Sequence, residues 1–213
     1  MVVSQPSKLV KGVRFSYPAP FMTWPLIKPP KDNTGWTWRE HVFTDQELDK
    51  IIALGQAAGV MDATVGLGNV DSYRASGVSW LSTDDPEHDW IYATLEPVIR
   101  RVNEEYFNFD LTHILPLQFT TYDESNNGHY KPHLDLGHSA PNRKLSFSLQ
   151  LTDPFSHEGG ILQFPYNRVE PEQAPRARGK IIFFPSYMLH EVTPVTRGTR
   201  YSLVGWVAGP LFR

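Results

Sequence analysis

Apolar positions fall at helical spacing in the first half of the chain and at alternating spacing in the second half. Leu48, Ile51, Ile52 and Gly55 make one stripe with three- and four-residue steps, which predicts an amphipathic helix. Thr44 supplies an N-cap and Glu47, three residues on, completes a capping box, while Gly59 can end the helix. A second stripe, Ile91, Leu95, Val98, Ile99 and Val102, predicts a helix from about Glu87 to Tyr106, with Pro97 expected to bend it. From Leu115 the period becomes two. Leu145, Phe147, Leu149 and Leu151 alternate with Ser146, Ser148, Gln150 and Thr152, the pattern of a half-buried strand. Further short strands are expected at 115–123, 129–136, 160–164, 179–185, 188–194 and 199–208. Turn pairs such as Asn127-Gly128, Gly159-Gly160 and Arg197-Gly198 separate them. Two helices followed by many short strands predict an α+β, mainly β domain whose strands form a sandwich or jelly roll.

Residues 1–40 fit neither period. Pro6, Pro18, Pro20, Pro25, Pro29 and Pro30 forbid a helix, yet Phe15, Tyr17, Phe21, Trp24, Trp36 and Trp38 are too many aromatics for a solvated tail. The expected organisation is a Pro- and aromatic-rich arm over 1–40, packed on the domain or on a second subunit. One domain then covers 41–213, carrying the helices and the strands. A Gly-Leu-Gly at 66–68 lacks the strand and helix of a dinucleotide loop.

Composition narrows the chemistry. With 213 residues the chain can bury a full core, and its net charge of -3 gives no reason to expect a nucleic acid or an acidic membrane as partner. No apolar run approaches a membrane span and no signal peptide opens the chain, so a cytoplasmic location is expected. The basic residues Arg176, Arg178 and Lys180 read as a solvated loop. There is no cysteine, which excludes disulfides, thiolate nucleophiles, zinc ribbons and iron–sulfur clusters. Any metal must be held by His, Asp or Glu.

The chain has eight histidines, and spacing singles out two of them. His133 and Asp135 are two residues apart in a strand-like stretch, so an imidazole and a carboxylate share a face. His190, in PSYMLHEVTPV, is the best third donor. Two His and one carboxylate on one face of an octahedron leave three positions open, as in non-haem Fe(II) oxygenases, although zinc would accept the same set. Arg200 and Ser202 separate the two. Arg200 lies ten residues after His190, and Ser202 shares its strand face. A guanidinium and a hydroxyl can bind the distal carboxylate of 2-oxoglutarate, whose keto-acid end chelates iron and leaves one position for O2.

With these residues in place the sequence resembles the 2-oxoglutarate- and Fe(II)-dependent oxygenases, in particular their prolyl 4-hydroxylase-like branch. The matching stretches are Tyr122, HYKPHLD (129–135), KLSFSLQLTDP (144–154), EGGILQF (158–164) and GKIIFFPSYMLHEVTPVTRGTRYSLVGWV (179–207). The likeness covers roughly residues 40 to 210. It implies a double-stranded β-helix, a jelly roll with helices packed on one sheet, with His133, Asp135 and His190 as metal ligands and catalytic centre. It implies co-substrate binding by Arg200 and Ser202, joined by Tyr122. The implied reaction hydroxylates an unactivated C–H, in the first instance of a prolyl or other residue in a protein or peptide, with release of succinate and CO2. The stretch from Tyr122 to His133 looks about two residues longer than in the collagen-type enzymes, and Arg200 stands where they have Lys. These departures bear on the substrate.

Other readings use the same residues. The site could instead serve a small-molecule hydroxylase acting on a free amino acid or natural product, a zinc hydrolase, or a silent jelly-roll binding module. A zinc pair at His129 and His133 would need a helix, which Gly128 and Pro132 oppose. His138 and His157 read as histidines on solvent-exposed loops, and Trp206, on the strand face of Arg200, as either pocket or core.

Overall fold

A computed structural model of the protein describes residues 35–59, 61–62, 73–165 and 170–211. The arm up to residue 34 and the Gly-Leu-Gly loop lie outside the described residues.

Helix α1 spans Asp45–Ala57. Its start follows the sequence signal closely: the Thr44 hydroxyl accepts from the Glu47 N–H, and the Glu47 carboxylate accepts from the Thr44 N–H at 2.7 Å. Two of the four unpaired N-terminal donors of the helix region are thereby satisfied. Gly59, with φ +80, follows its end. Helix α2, Asp89–Val102, continues through Pro97 and buries Ile91, Leu95, Ile99 and Val102. One turn of wider helix, Asn103–Phe107, extends it. That turn closes on Asn108 in the left-handed region at φ 52, where the short polar side chain of Asn tolerates it.

Nine strands frame the domain. They are β1 Thr37–Arg39, β2 Gly77–Leu81, β3 Leu117–Asp123, β4 His129–His133, β5 Arg143–Gln150, β6 Leu162–Phe164, β7 Ile181–Pro185, β8 His190–Val192 and β9 Thr199–Ala208. Five of them lie in the order β1-β7-β5-β9-β3 in the larger sheet, which continues through β2 to Met61–Asp62. The smaller sheet runs from Glu172–Gln173 through β6, β8 and β4 to Arg74–Ala75. All pairings are antiparallel, and from β3 to β9 successive strands alternate between the sheets, which is the double-stranded β-helix expected.

The core has two parts. On one face of the larger sheet, α1 and α2 pack over Leu117, Phe119, Leu145, Phe147, Leu149, Phe183 and Leu203. Between the sheets, Phe164, Ile182, Phe184 and Val195 close one end of the roll. Trp36 stacks on Phe164 with ring centroids 5.4 Å apart, and its indole N–H donates to Glu172 at 3.0 Å. The expectation for β5 is corrected here. It is buried on both faces, since Ser146, Ser148 and Gln150 are as inaccessible as Leu145, Phe147 and Leu149. Its polar face looks into the roll, where it meets the smaller sheet.

Candidate active site

His133 and His190 are direct cross-strand partners on β4 and β8, so their side chains leave the smaller sheet on one face. Their ring centroids lie 4.1 Å apart. Each Nδ1 sits 2.8 Å from a main-chain carbonyl, Lys131 for His133 and Met188 for His190. A carbonyl can only accept, so each Nδ1 carries the proton and each Nε2 presents a lone pair. Both Nε2 atoms face Asp135, at 3.8 Å for His133 and 3.5 Å for His190.

Asp135 reaches this point differently from the sequence expectation. β4 ends at His133, and Asp135 lies beyond it in a bend. The bend is pinned because the Asp135 and Leu136 N–H groups both donate to the Ser186 carbonyl, at 3.0 and 2.9 Å. Leu134 is turned outward and exposed.

The carboxylate is 9 % exposed, and its Oδ2 is buried without any hydrogen-bond donor. An anionic oxygen left in that state is costly unless a cation completes it. Burial pushes the Asp135 carboxyl up, but the imidazoles of His190 and His133 outweigh it and hold it below the usual carboxylate range. Burial, then the neighbouring His190, lowers His133 to about 3. The imidazole of His133 is therefore neutral at pH 7 and free to ligate. His133, Asp135 and His190 each offer a donor atom within 4.8 Å of the others, the only such group of three or more among the described residues. Donor type, tautomers and the orphaned oxygen all fit a divalent metal.

The three residues open into a cavity of about 350 Å³ inside the roll. Its other wall comes from the larger sheet. Arg200, Ser202, Val204 and Trp206, at alternate positions of β9, all line it, as do Gln118 and Tyr122 of β3 and Ser148 of β5. Arg200 is 2 % exposed. Its Nη2 donates to Gln150 Oε1 at 3.0 Å, and its Nη1 reaches the Ser202 hydroxyl at 3.4 Å. The guanidinium also lies 5.3 Å from the centre of the Tyr122 ring. Burial lowers Arg200 to about 10, so it remains a cation at neutral pH. It makes no ion pair among the described residues, and all its partners are neutral. Arg200, Ser202 and Tyr122 are thus brought together with the His-Asp-His group in one cavity.

Several residues here escaped the sequence reading. Ser148 and Gln150 are expected on the polar face of a half-buried strand, because alternation does not say which face is wet, and Gln118 carries no signal. Arg74, Tyr130 and Arg143 also line the cavity. Tyr130 stacks on His133 with centroids 3.4 Å apart. Trp206 belongs to the pocket wall rather than to the helix-backed core. His138 is exposed as expected, but His157 is buried, with its Nδ1 unpartnered. The loop around it is drawn in by Arg176, whose Nη2 donates to the carbonyls of Pro154, His157 and Gly159 at 3.3 Å each. The basic stretch is therefore tied down: Arg178 pairs with Asp49 at 2.5 Å, and Lys180 pairs with Glu40.

Comparison with known proteins agrees with this geometry. Residues 117–208 match the model of the 2OG-Fe(II) oxygenase superfamily. A PKHD-type hydroxylase of Prochlorococcus marinus is 40 % identical over 88 residues, which cover 40 % of this chain and 39 % of that protein. One from Maricaulis maris is 40 % identical over 79 residues, 37 % of this chain and 36 % of that protein. The matched stretch thus spans well under half the length of these curated relatives. Among solved structures, a Pseudomonas putida prolyl-4-hydroxylase superposes with a TM-score of 0.68 at 21 % identity, covering 83 % of this chain and 93 % of its own. A Trichoplax adhaerens prolyl hydroxylase, in complex with a hypoxia inducible factor peptide fragment, also gives 0.68, at 18 % identity over 82 % of this chain and 83 % of its own. No helix among the described residues is long and apolar enough to cross a membrane. Residues 117–208 thus match the 2OG-Fe(II) oxygenase superfamily, and the chain shares the double-stranded β-helix fold of the solved prolyl hydroxylases.

Proposed function

We propose that the protein is an Fe(II)- and 2-oxoglutarate-dependent dioxygenase that hydroxylates an unactivated C–H, with a prolyl or other residue of a protein or peptide as the first substrate class. The observation that carries this reading is the buried Asp135 carboxylate, whose Oδ2 has no donor and whose Oδ1 and Oδ2 face the lone pairs of His133 and His190, in one cavity with the cation Arg200. The names of the PKHD-type relatives and of the prolyl hydroxylase neighbours support the same reading.

His133, Asp135 and His190 would hold the metal as three protein donors of the type that suits Fe(II). Iron with 2-oxoglutarate and O2 supplies the oxidising chemistry, releasing succinate and CO2. The Lys131 and Met188 carbonyls fix both imidazoles in the ligating tautomer. Arg200 takes the distal carboxylate of 2-oxoglutarate through charge-assisted hydrogen bonds, with Ser202 and Tyr122 beside it. The walls of the roll keep bulk water from the reacting carbon.

The test is a panel of proline-containing peptides against free amino acids, followed for a one-oxygen mass gain matched by succinate. Peptide members that gain oxygen only with Fe(II) and 2-oxoglutarate support the proposal. Turnover confined to free amino acids would move the substrate to the small-molecule class. Turnover without 2-oxoglutarate, or with zinc in place of Fe(II), would overturn the oxygenase reading.

A further inference from the structure

The cavity holds more positive charge than the proposed chemistry uses. Among the described residues its charged lining consists of Arg74, Arg143 and Arg200 against the one carboxylate of Asp135. On the reading above, Arg200 is matched by the distal carboxylate of 2-oxoglutarate. The metal is matched by Asp135 together with the other carboxylate of 2-oxoglutarate. Arg74 and Arg143 then remain as two cations with no anion assigned.

Neither is paired with a carboxylate among the described residues. Arg143 lies on the Asp135 side of the site. Its guanidinium stacks on Trp206 at 3.8 Å from the ring centre, and its Nη1 reaches only the Asp135 main-chain carbonyl, at 3.4 Å. Its Nε is buried and unpartnered. Arg74 lies on the His133 side. It is itself 9 % exposed, its Nε donates to the Ser76 hydroxyl at 2.8 Å, and its guanidinium sits over Tyr130 at 4.5 Å. Neither forms an ion pair with any acidic side chain among the described residues. Tyr130 in turn stacks on His133, so both arginines are one aromatic ring or one main-chain group away from a proposed metal ligand. Burying guanidinium groups without anions is unfavourable, and aromatic faces offset only part of it. Planar guanidiniums held by stacking are, in contrast, preorganised for a carboxylate.

We infer that the substrate carries a carboxylate close to the oxidised carbon, received by Arg143 and Arg74 on the substrate side of the cavity. This rests on the oxygenase reading for which charges are already matched. The carboxylate could belong to an Asp or Glu next to the target residue in a peptide, or to the α-carboxylate of a free amino acid.

The experiment measures binding rather than turnover. Trp80 and Trp206 line the cavity, so intrinsic fluorescence can report occupancy. The probes are short blocked proline peptides with Asp or Glu beside the proline, their Asn or Gln counterparts, and free proline with its amide. Each is titrated anaerobically into the protein with Fe(II) and saturating 2-oxoglutarate, and again into the metal-free protein. Acidic members should bind at least about tenfold more tightly than their amide counterparts in both arms. That preference should shrink in Arg143→Gln and, separately, in Arg74→Gln. A preference in the blocked peptides assigns the carboxylate to a side chain, and one confined to free proline assigns it to the α-carboxylate. Equal binding of acid and amide, or a preference that survives both substitutions, would overturn the inference. Because the metal-free arm needs no co-substrate, a failed oxygenase reading would appear separately, as no effect of Fe(II) and 2-oxoglutarate on the first arm.

Discussion

Gly160 lies against Arg200 without bearing a functional group. It has φ +61, and a Cβ there would come within 2.8 Å of Arg200 Cδ and 2.9 Å of Val195 Cγ2. Gly160→Ala is therefore strained in its backbone and pushes on the one side chain proposed to hold 2-oxoglutarate. The expected result is a half-saturating 2-oxoglutarate concentration raised about tenfold, with Fe(II) affinity unchanged, measured by paired titrations. His157 makes a prediction of another kind. Burial, then the Arg176 and Arg200 charges, lowers it from its ordinary 6.5. A group lowered by folding binds its proton more readily in the unfolded chain. Stability should thus be insensitive to this residue above about pH 6.5 and fall as the pH drops below it. His157→Gln should flatten that acid limb in denaturant titrations at pH 5 to 7, and an unchanged slope would contradict the assignment. At this scale the sequence was legible where chemistry has a spacing. His-x-Asp, the distal His, and Arg with Ser two residues on could be found by counting. Arg74, Arg143 and the burial of His157 could not, because they depend on which loop lies over which strand.

Elements were legible wherever their periodicity had a cap or a turn beside it, as at Thr44 and Glu47 for α1. The error at β5 has a physical cause. Alternation marks two faces but not their environment, and in a roll the polar face is interior, where Gln150 and Ser148 serve the cavity rather than solvent. The sheet's other face shows how tightly α1 is seated. Gly55 lies directly against the Phe119 ring of β3, leaving no room for a Cβ, and its carbonyl accepts from the Ser79 hydroxyl at 2.5 Å. Gly55→Ala gains helix propensity but must displace the helix or the ring. We expect a net loss of about 1–3 kcal/mol in chemical denaturation, the usual result of overpacking. A stabilised variant would mean that α1 is not held at this distance.

The whole molecule divides its work between the sheets. The larger sheet, backed by α1 and α2, carries Arg200, Ser202 and Tyr122; the smaller carries His133 and His190, with Asp135 at its margin. A ligand set spanning both sheets should hold them together. Metal and co-substrate bound only to the folded state add RT ln(1 + [L]/Kd), about 2.7 kcal/mol at a hundredfold excess over Kd. The melting temperature should accordingly rise with Mn(II), as a redox-inert stand-in for Fe(II), and 2-oxoglutarate, and the rise should vanish in His190→Ala.

The central claim is that one cavity binds Fe(II) on His133, Asp135 and His190 and 2-oxoglutarate on Arg200. Its most direct test is an anaerobic titration of metal-free protein with Fe(II) and 2-oxoglutarate, following the weak visible charge-transfer band of the chelate. The account predicts a band in the wild type that is absent in His133→Ala and that needs about 100-fold more 2-oxoglutarate in Arg200→Ala, as loss of two charge-assisted hydrogen bonds implies. Fe(II) binding with no band at any 2-oxoglutarate concentration, or a band that persists unchanged in both variants, would contradict it.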